Sequence, residues 1–158
     1  MSGCPYCGAP VEGYEACLDN THILSSLLDH NIPEQYLAKF PGVDAMALQH
    51  PEHIDEWTVY FHLARLKLMF DNGIKWQYAF SPILSNVLNK WKYDRVPVLS
   101  VPAPLQRGSL NSQGLVSLST VEEASEYSMA WGKSVYDSYQ CDSVLVYPIA
   151  KLFLEQID

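Results

Sequence analysis

The chain has 158 residues, about one domain's worth, of which 48% are hydrophobic and 18% charged, with a net charge of −8. So apolar a composition excludes a disordered chain, and the acidic balance disfavours binding to nucleic-acid phosphates. No run approaches the roughly 18 apolar residues of a membrane span, and the N-terminus lacks the basic and apolar regions of a signal peptide, so neither a membrane nor a nucleic-acid partner is expected and a cytoplasmic location is.

Residues 1–17 read as a loop rich in Gly, Pro and Cys, a zinc-knuckle-like segment ahead of one helical unit over 18–158. A first helix is expected from Asp19 or Asn20, either a good N-cap, with Ile23, Leu24, Leu27 and Leu28 at helical spacing and Asn31 and Pro33 as stops. A helical turn with Tyr36, Leu37 and Phe40 follows, broken at Pro41-Gly42, and Val43 to His50 reads as a short apolar helix. Pro51 suits the first turn of the next helix, whose stripe is Ile54, Trp57, Phe61, Ala64 and Leu68, ended by Asn72-Gly73. Ser81-Pro82 opens another, through Ile83, Leu84, Val87, Leu88 and Trp91. Lys90, Lys92 and Arg95 around Trp91 read as the solvated, dipole-complementing end of that helix.

Residues 93–119 break the pattern: Pro97, Pro102, Pro104, Gly108 and Gly114 describe a long irregular crossing, with short strands expected around Val98 and Leu115 to Leu118. Loops of that length are uncommon without a use, which makes this one a candidate protein-binding surface. Thr120 with Glu123 forms a capping box before a helix that turns Ala124, Tyr127, Trp131 and Val135 inward; the nearby Glu122 and Glu126 belong to its acidic first turns. Val144 to Leu154 reads as a last helix, kinked or begun at Pro148. The fold expected is a mainly α, single-domain bundle of four to five helices with an N-terminal cysteine knuckle and one long crossing.

The chemistry concentrates at Cys4-Pro5-Tyr6-Cys7-Gly8 and Cys17. A C-x2-C pair supplies two tetrahedral zinc ligands from one turn, and Cys17 is the natural third. His50, placed before Pro51 at a helix junction, is the first choice for the fourth, with His53, His22 and Cys141 as alternatives. If residues from Pro51 onward form one helix, His53 and His62 stand nine residues apart on opposite faces and cannot serve together. The dithiol look of Cys-Pro-Tyr-Cys is set aside, because neither the preceding strand nor the following helix that redox chemistry needs is available.

These motifs, with Val43-Asp44-Ala45-Met46-Ala47-Leu48-Gln49-His50-Pro51, His62-Leu63, Leu118-Ser119-Thr120-Val121 and Trp131 to Tyr136, resemble an uncharacterised, mostly bacterial family of domains of unknown function with an N-terminal C-P-x-C-G and a V-D-A-Y-x-x-Q-H-P stretch. The resemblance spans nearly the whole chain and implies a metal-bearing helical domain, with no activity attached. A family histidine falls at Lys39 and a family histidine pair at Gln140-Cys141, so Cys141 stands where a family ligand could be.

There is no G-x-S-x-G, phosphate-binding glycine loop or H-E-x-x-H. A zinc-stabilised protein-interaction or adaptor domain is the leading expectation. The alternative is a metal-dependent enzyme in which Asp44, His50 and His62 converge on a bundle.

Overall fold

The computed structural model describes residues 3–158; residues 1 and 2 of the expected N-terminal loop lie outside them. The architecture is mainly helical, as the apolar periodicities imply, and no strand forms among the described residues.

Helix α1 spans Tyr14–Leu27 and begins six residues earlier than an Asp19 cap suggests. Its N-cap is Gly13, at a φ of 105° with no side-chain capping bond, so the start carries no capping signature in the sequence. After α2 (Pro33–Ala38), α3 runs from Phe40 to Gln49, straight through Pro41-Gly42. Pro41 sits in the first turn, where its missing N–H costs nothing, and the buried N–H of Gly42, which has no partner within the helix, goes to Ser128 Oγ at 2.9 Å.

Pro51–His53 is a separate 3-10 turn, and α4 (Glu56–Phe70) starts afresh with the Asp55 side chain accepting from the backbone of Trp57 and Thr58. The single helix assumed for His53 and His62 is therefore broken between them. The expected α4 stripe is also only partly right. Val59, Tyr60, Leu63, Ala64, Leu66 and Leu68 are the buried apolar residues, whereas Trp57 and Phe61 are half-buried. Helix α4 packs against α3, α5, α6 and α8, and a helix enclosed on several sides has no single apolar face.

Helix α5 (Phe80–Trp91) lies against the C-terminal α8 (Tyr147–Ile157), which Pro148 opens, and Trp76 stacks on Phe153 beneath this pair. Helix α6 (Val121–Ser138) has the expected capping box, with Ala124, Trp131 and Val135 fully buried. It meets α3 at close range: a methyl on Gly132 would lie 2.7 Å from Pro41 Cβ and 2.9 Å from its carbonyl oxygen. A short α7 (Gln140–Ser143) and a 3-10 turn at Val144–Val146 link α6 to α8. No helix among the described residues is long and apolar enough to cross a membrane.

Residues 93–119 form a strap over one side of the bundle, without the strands expected at Val98 and Leu115 to Leu118. Leu115 instead ends a 3-10 turn, Ser112–Leu115, capped by Asn111. Around Val98, the prolines remove ladder donors and side chains take the backbone amides: Val98 N–H bonds the Tyr60 hydroxyl at 2.9 Å, and Ser100 N–H bonds Asp142 Oδ1 at 3.0 Å.

Candidate metal centre

The loop before α1 turns back on itself, with Cys4 N–H bonded to the Ala9 carbonyl and Gly8 N–H to the Cys4 carbonyl. Gly8, at a φ of 79°, permits the reversal. This places the Cys4 and Cys7 thiols together, the first turn of α1 brings Cys17, and the C-terminal end of α3 brings His50. One ligand atom from each of the four lies within 4.8 Å of all the others, and all four residues are buried. Among the described residues no other group of His, Cys, Asp and Glu converges in this way.

The distances suit a tetrahedral ion. A zinc–sulfur bond of about 2.3 Å sets tetrahedral S···S edges near 3.8 Å, and S···N edges near 3.5 Å. Cys7 Sγ and Cys17 Sγ are 3.5 Å apart, and Cys4 Sγ is 3.5 Å from His50 Nε2. His50 Nδ1 donates to the Met46 carbonyl at 2.7 Å, so Nε2 is the nitrogen turned to the thiols. Cys17 is pulled towards thiolate, first by the hydrogen bond from Cys7 and further by Ser112, while that bond and burial hold Cys7 as the thiol. One ligand is thus already biased to the form a metal requires. The four together could hold a metal ion, and they would fill a tetrahedral shell with no position left for substrate.

The other candidates lie elsewhere. His22 and Cys141 are exposed, so Cys141 does not take the place of a fourth ligand. His53 is stacked on Tyr14 at 3.9 Å and meets Tyr6 edge-on at 5.0 Å, part of an aromatic collar whose tyrosines also flank His50. Asp44 is fully buried in an ion pair. Arg65 bonds both its oxygens, at 2.5 to 3.1 Å, and His62 Nδ1 donates to Oδ1 at 2.6 Å. The guanidinium lies 4.3 Å from the Phe40 ring centroid and 5.0 Å from that of Phe61, and also reaches Ser81. Asp44, His50 and His62 therefore do not meet in one centre: the first and last serve Arg65, and both nitrogens of His50 are committed elsewhere.

Two residues given no role by the sequence reading hold the centre in place. Gln49, 1% exposed, donates to the Arg107 and Leu110 carbonyls at 2.9 and 2.7 Å and accepts from Trp131 Nε1 at 3.0 Å. Arg107 forks onto both Glu52 oxygens and also donates to the Gln49 and Pro102 carbonyls. Leu105 N–H bonds the Tyr6 carbonyl, and Asn111 Nδ2 reaches the Cys7 carbonyl at 3.5 Å. The strap is thus fastened to residues within or beside the ligand-bearing segments. The adjacency of Gln49 to His50 was the available signal for Gln49; for Arg107 it was only an isolated cation in a Pro- and Gly-rich loop.

Comparison with known proteins returns one family model, that of a family of unknown function (DUF5946), matching residues 2–140. No curated protein and no solved structure matches the chain.

Proposed function

We propose, for a chain that belongs to DUF5946, a zinc-stabilised helical domain that acts by binding other proteins in a reducing, cytoplasmic setting. The observation that carries the metal reading is the closed donor set: Cys4, Cys7, Cys17 and His50, all buried and within 4.8 Å of one another. Three soft sulfurs and one imidazole at tetrahedral spacing favour zinc, and four protein ligands favour a structural ion over a catalytic one. A binding role accords with the missing catalytic motifs and with the strap, which presents Val96, Val98 and Leu105 to solvent. Net charge argues against nucleic acid as the partner.

Elemental analysis of protein purified without a histidine tag tests the metal. One equivalent of zinc is expected, lost together with folding in Cys4→Ser and Cys17→Ser, and retained in Cys141→Ser and His62→Ala. Well-folded protein containing no metal would overturn the assignment. Retention in the cysteine variants with loss in His62→Ala would instead favour the enzyme reading.

A further inference from the structure

The strap from Val96 to Pro102 has the side-chain alternation of a β-strand without a strand beside it. Pro97, Leu99 and Val101 line a cleft of about 230 Å³ against Val59 and Tyr60 of α4, while Val96 and Val98 line a second cleft that Tyr60 also borders. Period-two alternation marks an extended chain, in which successive backbone groups also point to opposite edges. One edge is pinned: the N–H groups of Val98 and Ser100 bond Tyr60 and Asp142. The N–H groups of Leu99 and Val101 point the other way and have no partner among the described residues. The residues around this edge are largely exposed, Val96, Val98 and Val101 at 78, 64 and 38%, with Leu99 half-buried. An unpaired edge of β-branched residues is a template for a further strand, and Pro97 and Pro102 confine it to a short stretch.

We propose that this edge docks an extended segment of another protein as an added strand, with apolar side chains at alternate positions and Lys or Arg between them. The main-chain donors of Leu99 and Val101 and their carbonyls supply the ladder; the apolar side chains at alternate positions fall on the side of Val96 and Val98, and the residues between them fall on the side of Glu52 and Glu56. Charge selects the rest. Glu52 and Glu56 line the first cleft and no Lys or Arg does; Glu52 is already paired with Arg107, while Glu56 is exposed with no ion-pair partner among the described residues. A second copy of the chain would bring a like charge of −8 and another Glu56 to the same place. The proposal deepens the protein-binding reading and rests on it, but not on the metal.

The test uses the full chain as purified, with a synthetic peptide of alternating Val and Lys and its Val-and-Glu counterpart as probes. In the free protein, amide exchange at Leu99 and Val101 is expected to be faster than at Val98 and Ser100. The Val–Lys peptide should slow exchange at Leu99 and Val101 by about tenfold or more, and the Val–Glu peptide should not. Val101→Pro removes an edge donor and no internal hydrogen bond, so it should weaken peptide binding about tenfold while leaving the thermal midpoint unchanged. N-methylation of alternate peptide amides should abolish binding to the unaltered protein. Equal affinity for Val101→Pro, or no protection at Leu99 and Val101, overturns the site. Protection that rises with protein concentration alone overturns the choice of partner in favour of a second copy. Metal content, measured on the same sample, separates these failures from failure of the zinc assignment.

Discussion

Replacing Gln49 by Leu keeps the volume nearly constant and removes every hydrogen bond the side chain makes. The indole N–H of Trp131, a residue with no exposed surface, loses its acceptor, and the carbonyls of Arg107 and Leu110 lose their donor. A buried polar group left without a partner costs about 1–3 kcal/mol. Leu110 is half-buried and regains water, so two full penalties apply, about 3 kcal/mol in all. For a chain of this size that lowers Tm by about 6–12 °C. Urea unfolding followed by tryptophan fluorescence at saturating zinc measures it, with the slope m unchanged if only stability has moved. Gln49→Glu sharpens the reasoning. It retains an acceptor for Trp131 but turns a carboxylate towards two carbonyl oxygens, so at neutral pH it should cost more than the Leu variant. Its deficit should shrink in acid, where the protonated carboxyl can donate once. A loss below about 1 kcal/mol for Gln49→Leu, or wild-type stability for Gln49→Glu, would refute the account.

Arg65→Met strands the Asp44 carboxylate with His62 alone and should cost about 3–5 kcal/mol, while adding Asp44→Asn should recover part of that loss in a double-mutant cycle; strict additivity would contradict the pairing. Tyr136 donates to Asp71 at 2.5 Å, and Lys67 adds a bond at 3.0 Å. Burial pushes the Asp71 carboxyl up, but these two bonds outweigh it and hold it below 3.8, whereas burial and then the bond to Asp71 raise the phenol above 10. A lowered carboxylate adds stability that is present above 3.8 and lost as pH falls through its folded value; a raised phenol adds stability that is present below 10 and lost as pH rises through its own. Tyr136→Phe should therefore flatten both limbs of the pH–stability curve, and thermal melts showing an unchanged acid limb would tell against the bond. Gly132→Ala should cost about 1–3 kcal/mol because the new methyl meets Pro41 backbone as well as its ring; Gly42→Ala, whose closest neighbour is the movable Leu24 Cδ1, should cost less, and the reverse order in urea melts would contradict the packing.

Local signals were legible and distant ones were not. The capping box at Thr120 and Glu123, the inward face of α6 and the short apolar helix ending at His50 are written within a few residues, and the structure forms each. The cysteine spacing pointed to three thiols that the loop and the start of α1 bring together, and the constraint at Pro51 singled out the histidine beside them. The start of α1 was missed because Gly13 gives no capping side chain. The Asp44–Arg65 pair spans two helices, and nothing in either segment announces that a carboxylate on an apolar helix has a guanidinium waiting 21 residues on. The strands expected in the strap do not form: the Val98 and Ser100 amides go to Tyr60 and Asp142, from elsewhere in the chain, and Leu115 ends a 3-10 turn.

The fastening of the strap to the cysteine loop also sets an order of events on the ribosome. All four candidate ligands lie within the first 50 residues, whereas Leu105 and Asn111, which grip the Tyr6 and Cys7 carbonyls, are synthesised later. At typical elongation rates the roughly 60 residues between His50 and Asn111 take about 3–12 s to appear. During that interval the thiols and imidazole can capture an ion with no cover over them. Once the strap closes, its bonds to the Tyr6 and Cys7 carbonyls tie the cysteine loop to a segment made later, so the surroundings of the four residues are completed in chain order.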